Sequence, residues 1–67
     1  MERAYQMVEV VGVSDESYAQ ATRNAVSAAS KKQPGLSWFE VVEQRGRIDN
    51  GEVVEFQVKI RIGFRVV

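Results

Sequence analysis

The stretch VVEFQVKIRIGFRVV, residues 53–67, decides the fold of this chain. Every even position from Val54 to Val66 is apolar, whereas the odd positions from Glu55 to Arg65 carry charged residues, glutamine or glycine. This period of two predicts a long β-strand with one face on a hydrophobic core and the other face polar. Side chains on the polar face of so rigid an element can be directed at a ligand or at a neighbouring subunit.

The residues that precede this strand predict a hairpin. Asp49-Asn50-Gly51 is a turn signal, because Asn-Gly tolerates the positive φ angles of a tight hairpin turn. We therefore expect residues 36–48 to form a second strand, bent at Gly46, that pairs with residues 53–67. A first strand is predicted over residues 5–11, which are rich in β-forming residues and end at Gly12.

Residues 17–31 predict one amphipathic helix. Ser17 and Gln20 have the spacing of a capping box, and Pro34-Gly35 ends the helix. The apolar stripe is mostly alanine, so the helix can lie close against a sheet. The predicted class is α+β, with the order β-α-β-β and a three-stranded antiparallel sheet wrapped around one helix.

Length and composition predict a single domain, residues 1–67, that associates with other copies. A chain of 67 residues buries only about 60% of its unfolded surface. It has no cysteine for disulfides and no histidine, so oligomerisation is the remaining means of stabilisation.

The same composition excludes several classes of partner. Nine acidic and nine basic residues give zero net charge, which argues against nucleic-acid binding. No apolar run reaches the roughly 20 residues that span a bilayer, and residues 1–4 lack the apolar stretch of a signal peptide. A cytoplasmic protein without membrane partners is expected.

No catalytic or metal site is predicted. The serines have no histidine to activate them, and the carboxylates show no spacing typical of a general acid and base. The glycines are isolated, so no phosphate-binding loop is present. We expect a binding protein rather than an enzyme.

Trp38, the only tryptophan, is the first candidate for ligand binding. Alternation places Phe39 and Val41 on the core face of the second strand. It places four residues on the polar face: Trp38, Glu40, Val42 and Gln44. An indole on a polar face has two interpretations, a plug in a subunit interface or a stacking platform for a planar ligand.

Gln57 and two arginines are the other candidates. The Gln57 amide offers an acceptor and two donors, which match the alternating edge of a pyrimidine-like ring, although an ordinary solvated glutamine would look the same. Arg45 and Arg47 could bind carboxylates, a ring or a phosphate. The alternative for both arginines is a cross-strand ion pair with Glu52 or Glu55.

The remaining basic residues are scattered, and ion pairs with glutamates on neighbouring strands or subunits are their simplest role. They are Arg3, Lys31, Lys32, Lys59, Arg61 and Arg65. Arg65 and Lys32 could instead meet a phosphorylated ligand.

Taken in order, these segments resemble the dodecins, small flavin-binding proteins that assemble as hollow dodecamers. The similar segments are Val10-Val11-Gly12-Val13-Ser14, Arg23-Asn24-Ala25-Val26, Ala28-Ala29-Ser30, Trp38-Phe39-Glu40-Val41, Glu43-Gln44-Arg45-Gly46-Arg47-Ile48, Phe56-Gln57-Val58 and Gly63-Phe64-Arg65. They cover nearly the whole chain.

The resemblance implies a homododecamer of 23 symmetry, with paired flavins at its two-fold axes. In that family pattern Trp38 stacks on the isoalloxazine ring and Gln57 hydrogen-bonds its pyrimidine edge. Arg45, in an Arg-Gly element that archaeal-type members lack, helps to bind the flavin, FMN or riboflavin. Some bacterial members are also similar in holding coenzyme A, for which Arg65, Lys32 and Arg3 are the candidate phosphate partners here.

The resulting hypothesis is a flavin storage and sequestration protein that quenches its ligands. A non-flavin structural or partner-binding oligomer is the alternative, with Trp38 only an interface plug. A flavin-dependent oxidoreductase is the weakest interpretation, because the sequence shows no hydride-donor site.

Overall fold

The computed structural model describes all residues from 1 to 67 and confirms the predicted order. The elements are β1 (Tyr5–Ser14), α1 (Tyr18–Ser30), β2 (Leu36–Asp49) and β3 (Glu52–Arg65). The three strands form one antiparallel sheet in the order β1-β3-β2. β1 runs three residues past its predicted end, and β3 stops two residues short of the chain terminus.

The hairpin between β2 and β3 turns where the sequence predicted. Asn50 and Gly51 have φ angles of 52° and 81°, the left-handed region that a two-residue turn of this kind requires. Asp49 pairs with Glu52 directly across the turn. The turn thereby sets the pairing at the start of the hairpin, for Asp49 with Glu52 and Ile48 with Val53.

α1 begins with the predicted cap. The Ser17 hydroxyl accepts the Gln20 backbone N–H at 3.0 Å. The second half of the capping box is absent, because the Gln20 side chain donates to Asn24 Oδ1 at 2.9 Å instead. At 13 residues, α1 is neither long nor apolar enough to cross a membrane.

The alanine stripe allows α1 to contact the sheet closely. Ala21, Ala25 and Ala29 are buried, and a Cβ atom added to Gly12 would lie 1.9 Å from the Ala21 carbonyl oxygen. Only glycine fits at this point of β1. The Asn24 amide donates to the Val13 carbonyl at 2.8 Å and ties the helix to the same strand.

The core lies between α1 and the middle of β3. Its β3 residues are all even-numbered, as predicted: Val58, Ile60, Ile62 and Phe64. Val54 and Phe56 continue the stripe but are only half-buried, since the hairpin extends beyond the helix. Val66 lies past the end of β3 and is exposed.

β2 departs from simple alternation. Its pairing with β3 shifts between Leu36 and Trp38 and between Val41 and Glu43, with one extra residue on β2 each time. A third shift, between Arg47 and Ile48, comes from an extra residue on β3, Val54. A bulge moves every later side chain to the other face of a strand.

The shift after Val41 makes one prediction wrong. Gln44 pairs with the buried Val58 and lies on the helix side of the sheet, not on the polar face beside Trp38. Glu43 and Arg45 take the polar positions instead, opposite Lys59 and Gln57.

Phe39 and Val41 have the predicted face but not the predicted burial. They pair with Ile62 and Ile60, two residues of the core, yet each is 48% exposed. α1 packs over β1 and β3 and leaves β2 uncovered. Phe39 and Val41 thus form an apolar surface with no partner inside the chain.

Candidate functional site

Trp38 lies on the polar face of the sheet, as predicted. It pairs with Gly63 of β3, whose missing side chain leaves room for the indole, and it remains 46% exposed. The Tyr5 ring meets the indole edge-on, with centroids 6.4 Å apart and planes at 61°. The indole therefore packs against Gly63 and Tyr5, and the rest of its apolar ring surface is open to a ligand or a partner.

Gln57 and Arg45 are brought together on the same face. They pair across the hairpin, and Arg45 Nε donates to Gln57 Oε1 at 2.8 Å. Gln57 Nε2 in turn donates to Glu55 Oε1 at 2.8 Å. Because a guanidinium only donates and a carboxylate only accepts, these two neighbours fix the orientation of the amide.

The amide retains capacity for a ligand. Oε1 of Gln57 has two lone pairs and Nε2 has two N–H groups, and the network uses one of each. The free acceptor and donor belong to an amide that is already held in place. The cost of ordering a flexible glutamine side chain is thus largely met before a ligand arrives.

Arg45 and Arg47 have different partners. Arg47 Nε lies 3.8 Å from Glu55 Oε1, which is the cross-strand ion pair that the sequence allowed. Arg45 contacts Gln57, with only a longer 3.8 Å ion pair to Glu43. Both guanidinium groups are largely exposed, so Arg45 can still donate to a ligand.

Trp38 and Gln57 are not brought together within one chain. Gln57 and Gly63, the partner of Trp38, are six residues apart on β3, or about 20 Å at the rise of an antiparallel strand. Both side chains are on the polar face, but one three-ring ligand cannot reach from one to the other.

The candidate phosphate partners lie toward the opposite end of the sheet from the hairpin. Lys32 follows α1 and lines a cavity of about 310 Å³ with Val8 and Val10 of β1. Arg65 ends β3 opposite Tyr5, and its Nε donates to the Val67 carbonyl at 2.6 Å. Arg3 precedes β1 at the same end.

Among the scattered basic residues, Arg61 forms the ion pairs with glutamates on neighbouring strands that the simpler interpretation predicts. Its guanidinium lies 3.2 Å from Glu9 and 3.9 Å from Glu40, one on each neighbouring strand. No group of three or more acidic side chains in the chain is placed to hold a metal ion.

Sequence reasoning missed Gly63, Tyr5 and the hydrogen bond that Glu55 accepts from Gln57. The sequence contained a signal for Gly63. Counting residues back from the turn places Trp38 opposite Gly63, the one odd position of β3 without a side chain. That count succeeds because the shift at Arg47 and the shift at Val41 offset each other. Nothing in the sequence marks Tyr5, which reaches Trp38 across β3.

Comparison with known proteins confirms the resemblance. Residues 4–67 match the family model described as Dodecin. The chain is 42% identical over 66 residues to a dodecin from Thermus thermophilus, covering 98% of this chain and 96% of the relative. The solved dodecin from Streptomyces davaonensis superposes with a TM-score of 0.94 at 39% identity, covering 100% of this chain and 98% of that one.

A more distant relative carries a different ligand in its name. A protein called calcium dodecin, from Mycobacterium tuberculosis, is 24% identical over 62 residues, which are 92% of this chain and 87% of the relative. The family model and the Thermus relative each span nearly the whole sequence. The chain belongs to the dodecin family.

Proposed function

We propose that this protein stores and sequesters flavins, FMN or riboflavin, by stacking them on Trp38. The observation that carries the proposal is the half-exposed indole on the polar face, backed by Gly63. An aromatic ring stacked on such a platform contributes about 1–3 kcal/mol. Stacking also covers apolar indole surface that water otherwise contacts.

Gln57 supplies the specificity of the proposed site. A flavin's pyrimidine edge presents a ring N–H between two carbonyl groups. The free lone pair and the free N–H of the Gln57 amide complement the N–H and one of those carbonyls. Arg45 orients the amide and leaves guanidinium donors for the ligand, the FMN phosphate included.

The proposed site is formed between copies. Since Trp38 and Gln57 are about 20 Å apart along the sheet, a flavin that contacts both must take them from different chains. We propose a homododecamer of 23 symmetry, in which a two-fold axis supplies the second tryptophan. The exposed Phe39 and Val41 support assembly, because they are apolar residues without a partner in their own chain.

The proposed chemistry is quenching rather than turnover. An electron-rich indole in contact with an excited flavin donates an electron and recovers it, with no net change in either group. The ligand is thereby protected from its own photochemistry. The proposal assigns no catalytic residue and places the protein in the cytoplasm, as a single domain over residues 1–67.

Coenzyme A is a proposed second ligand. Arg65, Lys32 and Arg3 are cations at one end of the sheet, and cations of this kind bind phosphate groups. Arg65→Ala is expected to weaken coenzyme A binding in calorimetric titration and to leave riboflavin binding unchanged. Equal coenzyme A affinity in both proteins would remove Arg65 from this role.

The test is a titration of riboflavin and FMN fluorescence with the assembled protein. The wild type is expected to quench flavin emission to saturation, whereas Trp38→Ala loses most of the quenching and Gln57→Ala binds more weakly. Lys59→Ala, on the same face of β3, is the matched control and is expected to behave as the wild type.

Two outcomes contradict flavin storage. Wild-type protein at micromolar concentration that leaves flavin emission unchanged is one of them. The other is a Trp38→Ala variant that no longer assembles to the wild-type mass in the absence of flavin, together with a wild type that binds no flavin. That result would favour the alternative, a structural oligomer in which Trp38 plugs an interface.

A further inference from the structure

We infer that Gly63 is the positioning residue for the Trp38 indole. The missing side chain at this position forms a seat in which the ring lies against β3 and presents its other face outward. The inference rests on the proposed flavin function for its consequence, but the seat itself can be tested in the protein without ligand.

The distances around Gly63 define how the ring lies. A Cβ atom built on Gly63 would be 2.5 Å from Cε2 of Trp38, 2.7 Å from Cζ2 and 2.9 Å from Nε1. These are three consecutive ring atoms with the middle one nearest. A point beyond the ring edge would be nearer to one of the outer two, so this point lies over the ring face.

The backbone of Gly63 does not itself require glycine. The glycines with positive φ are Gly35 and Gly51, and Gly63 is not among them. Glycine weakens the interior of a strand, because it loses more conformational freedom than other residues and packs no side chain. Its presence in the middle of the sheet therefore needs another reason.

The neighbours of the other close-packed glycines differ in kind. A Cβ at Gly12 would strike the Ala21 carbonyl, and a Cβ at Gly46 would lie 2.8 Å from the Glu55 carbonyl, so backbone atoms exclude side chains there. At Gly63 all three nearest atoms belong to the Trp38 ring. Glycine at position 63 thus leaves room for one side chain, the Trp38 indole.

Two residues of β1 lie next to the seat. Met7 pairs with Gly63 from the side opposite Trp38, and Tyr5 meets the indole edge-on. A methyl group at position 63 must lift or tilt the ring out of this seat, because contacts below 3.0 Å are not tolerated. The plane offered to a stacked ligand then changes.

The experiment compares Gly63→Ala with Lys59→Ala, an alanine on the same face of the same strand. Trp38 is the only tryptophan, so intrinsic emission and near-ultraviolet circular dichroism report on this one ring. Without ligand, Gly63→Ala is expected to shift both signals and Lys59→Ala neither. With riboflavin, Gly63→Ala is expected to raise the Kd by about tenfold or more, the equivalent of losing most of one stacking contact.

The double variant Trp38→Ala/Gly63→Ala separates a clash with the indole from any other effect of alanine. If the ring is the only obstacle, Gly63→Ala lowers the thermal midpoint in the wild-type background and does not lower it when Trp38 is already alanine. If Gly63→Ala alone fails to assemble, the same comparison of the two backgrounds still shows whether the Trp38 ring is the obstacle.

Three results overturn the inference. They are unchanged Trp38 emission and dichroism in Gly63→Ala, unchanged riboflavin affinity despite a shifted emission, and an equal loss of thermal midpoint in both backgrounds. A wild type that binds no riboflavin contradicts the proposed function alone, since the ligand-free signals still decide whether Gly63 seats the ring.

Discussion

The helix side of the sheet has two apolar regions, one covered by α1 and the other uncovered. Ile60 and Ile62 of β3 are at most 1% exposed under α1, whereas their direct partners on β2, Val41 and Phe39, are each 48% exposed. All four residues are apolar and point to the same face. A strand's alternation thus encodes which way its side chains point, and the elements packed on it decide their burial.

The uncovered region borders a groove that the proposed assembly would cover. β2 and the outer flank of α1 border a groove of about 690 Å³, with Phe39 and Val41 on one wall and Val26 on the other. Burying apolar surface contributes about 25 cal/mol per Å². A chain that leaves this groove open gives up stability that assembly can recover.

The largest effect is expected from a charge in the uncovered region. Phe39→Asp buries an unpaired carboxylate if another copy covers β2, at a cost of about 3–5 kcal/mol per chain. We expect the native mass to fall below that of the wild type in native mass spectrometry. Phe39→Leu, which keeps the site apolar, is the control, and a dodecamer that persists in Phe39→Asp would show that β2 stays exposed.

The covered region is tested by truncation. Ile60→Ala removes packing beneath α1 and is expected to lower the free energy of unfolding by about 2–5 kcal/mol. The same substitution at Ile48, which is 72% exposed near the hairpin turn, is expected to cost far less. Chemical denaturation at one fixed protein concentration measures both, and equal losses would contradict the division into two regions.

A smaller effect is expected at the start of the covering helix. Ser17→Ala removes the hydroxyl that accepts the Gln20 N–H and is expected to cost about 1 kcal/mol. Ser17→Asp retains a capping oxygen and should recover most of that loss. Thermal unfolding with the two variants side by side checks this, and a Ser17→Asp protein as unstable as Ser17→Ala would argue against capping as the cause.

The smallest effect is expected on the polar face. Arg61 contacts Glu9 and Glu40 at the surface, and exposed ion pairs contribute about 0–1 kcal/mol. Arg61→Ala should lower the thermal midpoint slightly at low salt and not measurably at high salt, because salt screens exposed charges. A loss of thermal midpoint that is the same at low and high salt would point to packing by the aliphatic part of the Arg61 side chain.

Much of the fold could be predicted because local rules agree. Asn50-Gly51 specified the turn, the even positions of β3 specified the core, and Ser17 specified the helix start. In the site, the turn also carried Trp38 to the polar face that holds Gln57, since a hairpin register follows from its turn. Arg45 lies opposite Gln57 only because of the register shifts between β2 and β3.

The remainder depended on interactions that a sequence pattern does not show. No glycine or proline marks the shift after Val41 that carried Gln44 to the helix side. Phe39 was expected in the core, and its exposure follows from the position of β2 at the sheet edge, outside the reach of α1. The contact of Tyr5 with Trp38 joins β1 to β2 across β3, which local rules do not predict.

Native mass spectrometry of the wild type with riboflavin tests the central claim most directly, namely that assembled copies share flavin on Trp38. Twelve chains of 7.5 kDa give about 90 kDa (12 × 7.5), and we predict that mass with about one riboflavin per tryptophan. Trp38→Ala should lose the bound riboflavin. A chain that remains at 7.5 kDa, or a 90 kDa assembly that takes up no riboflavin, would contradict the claim.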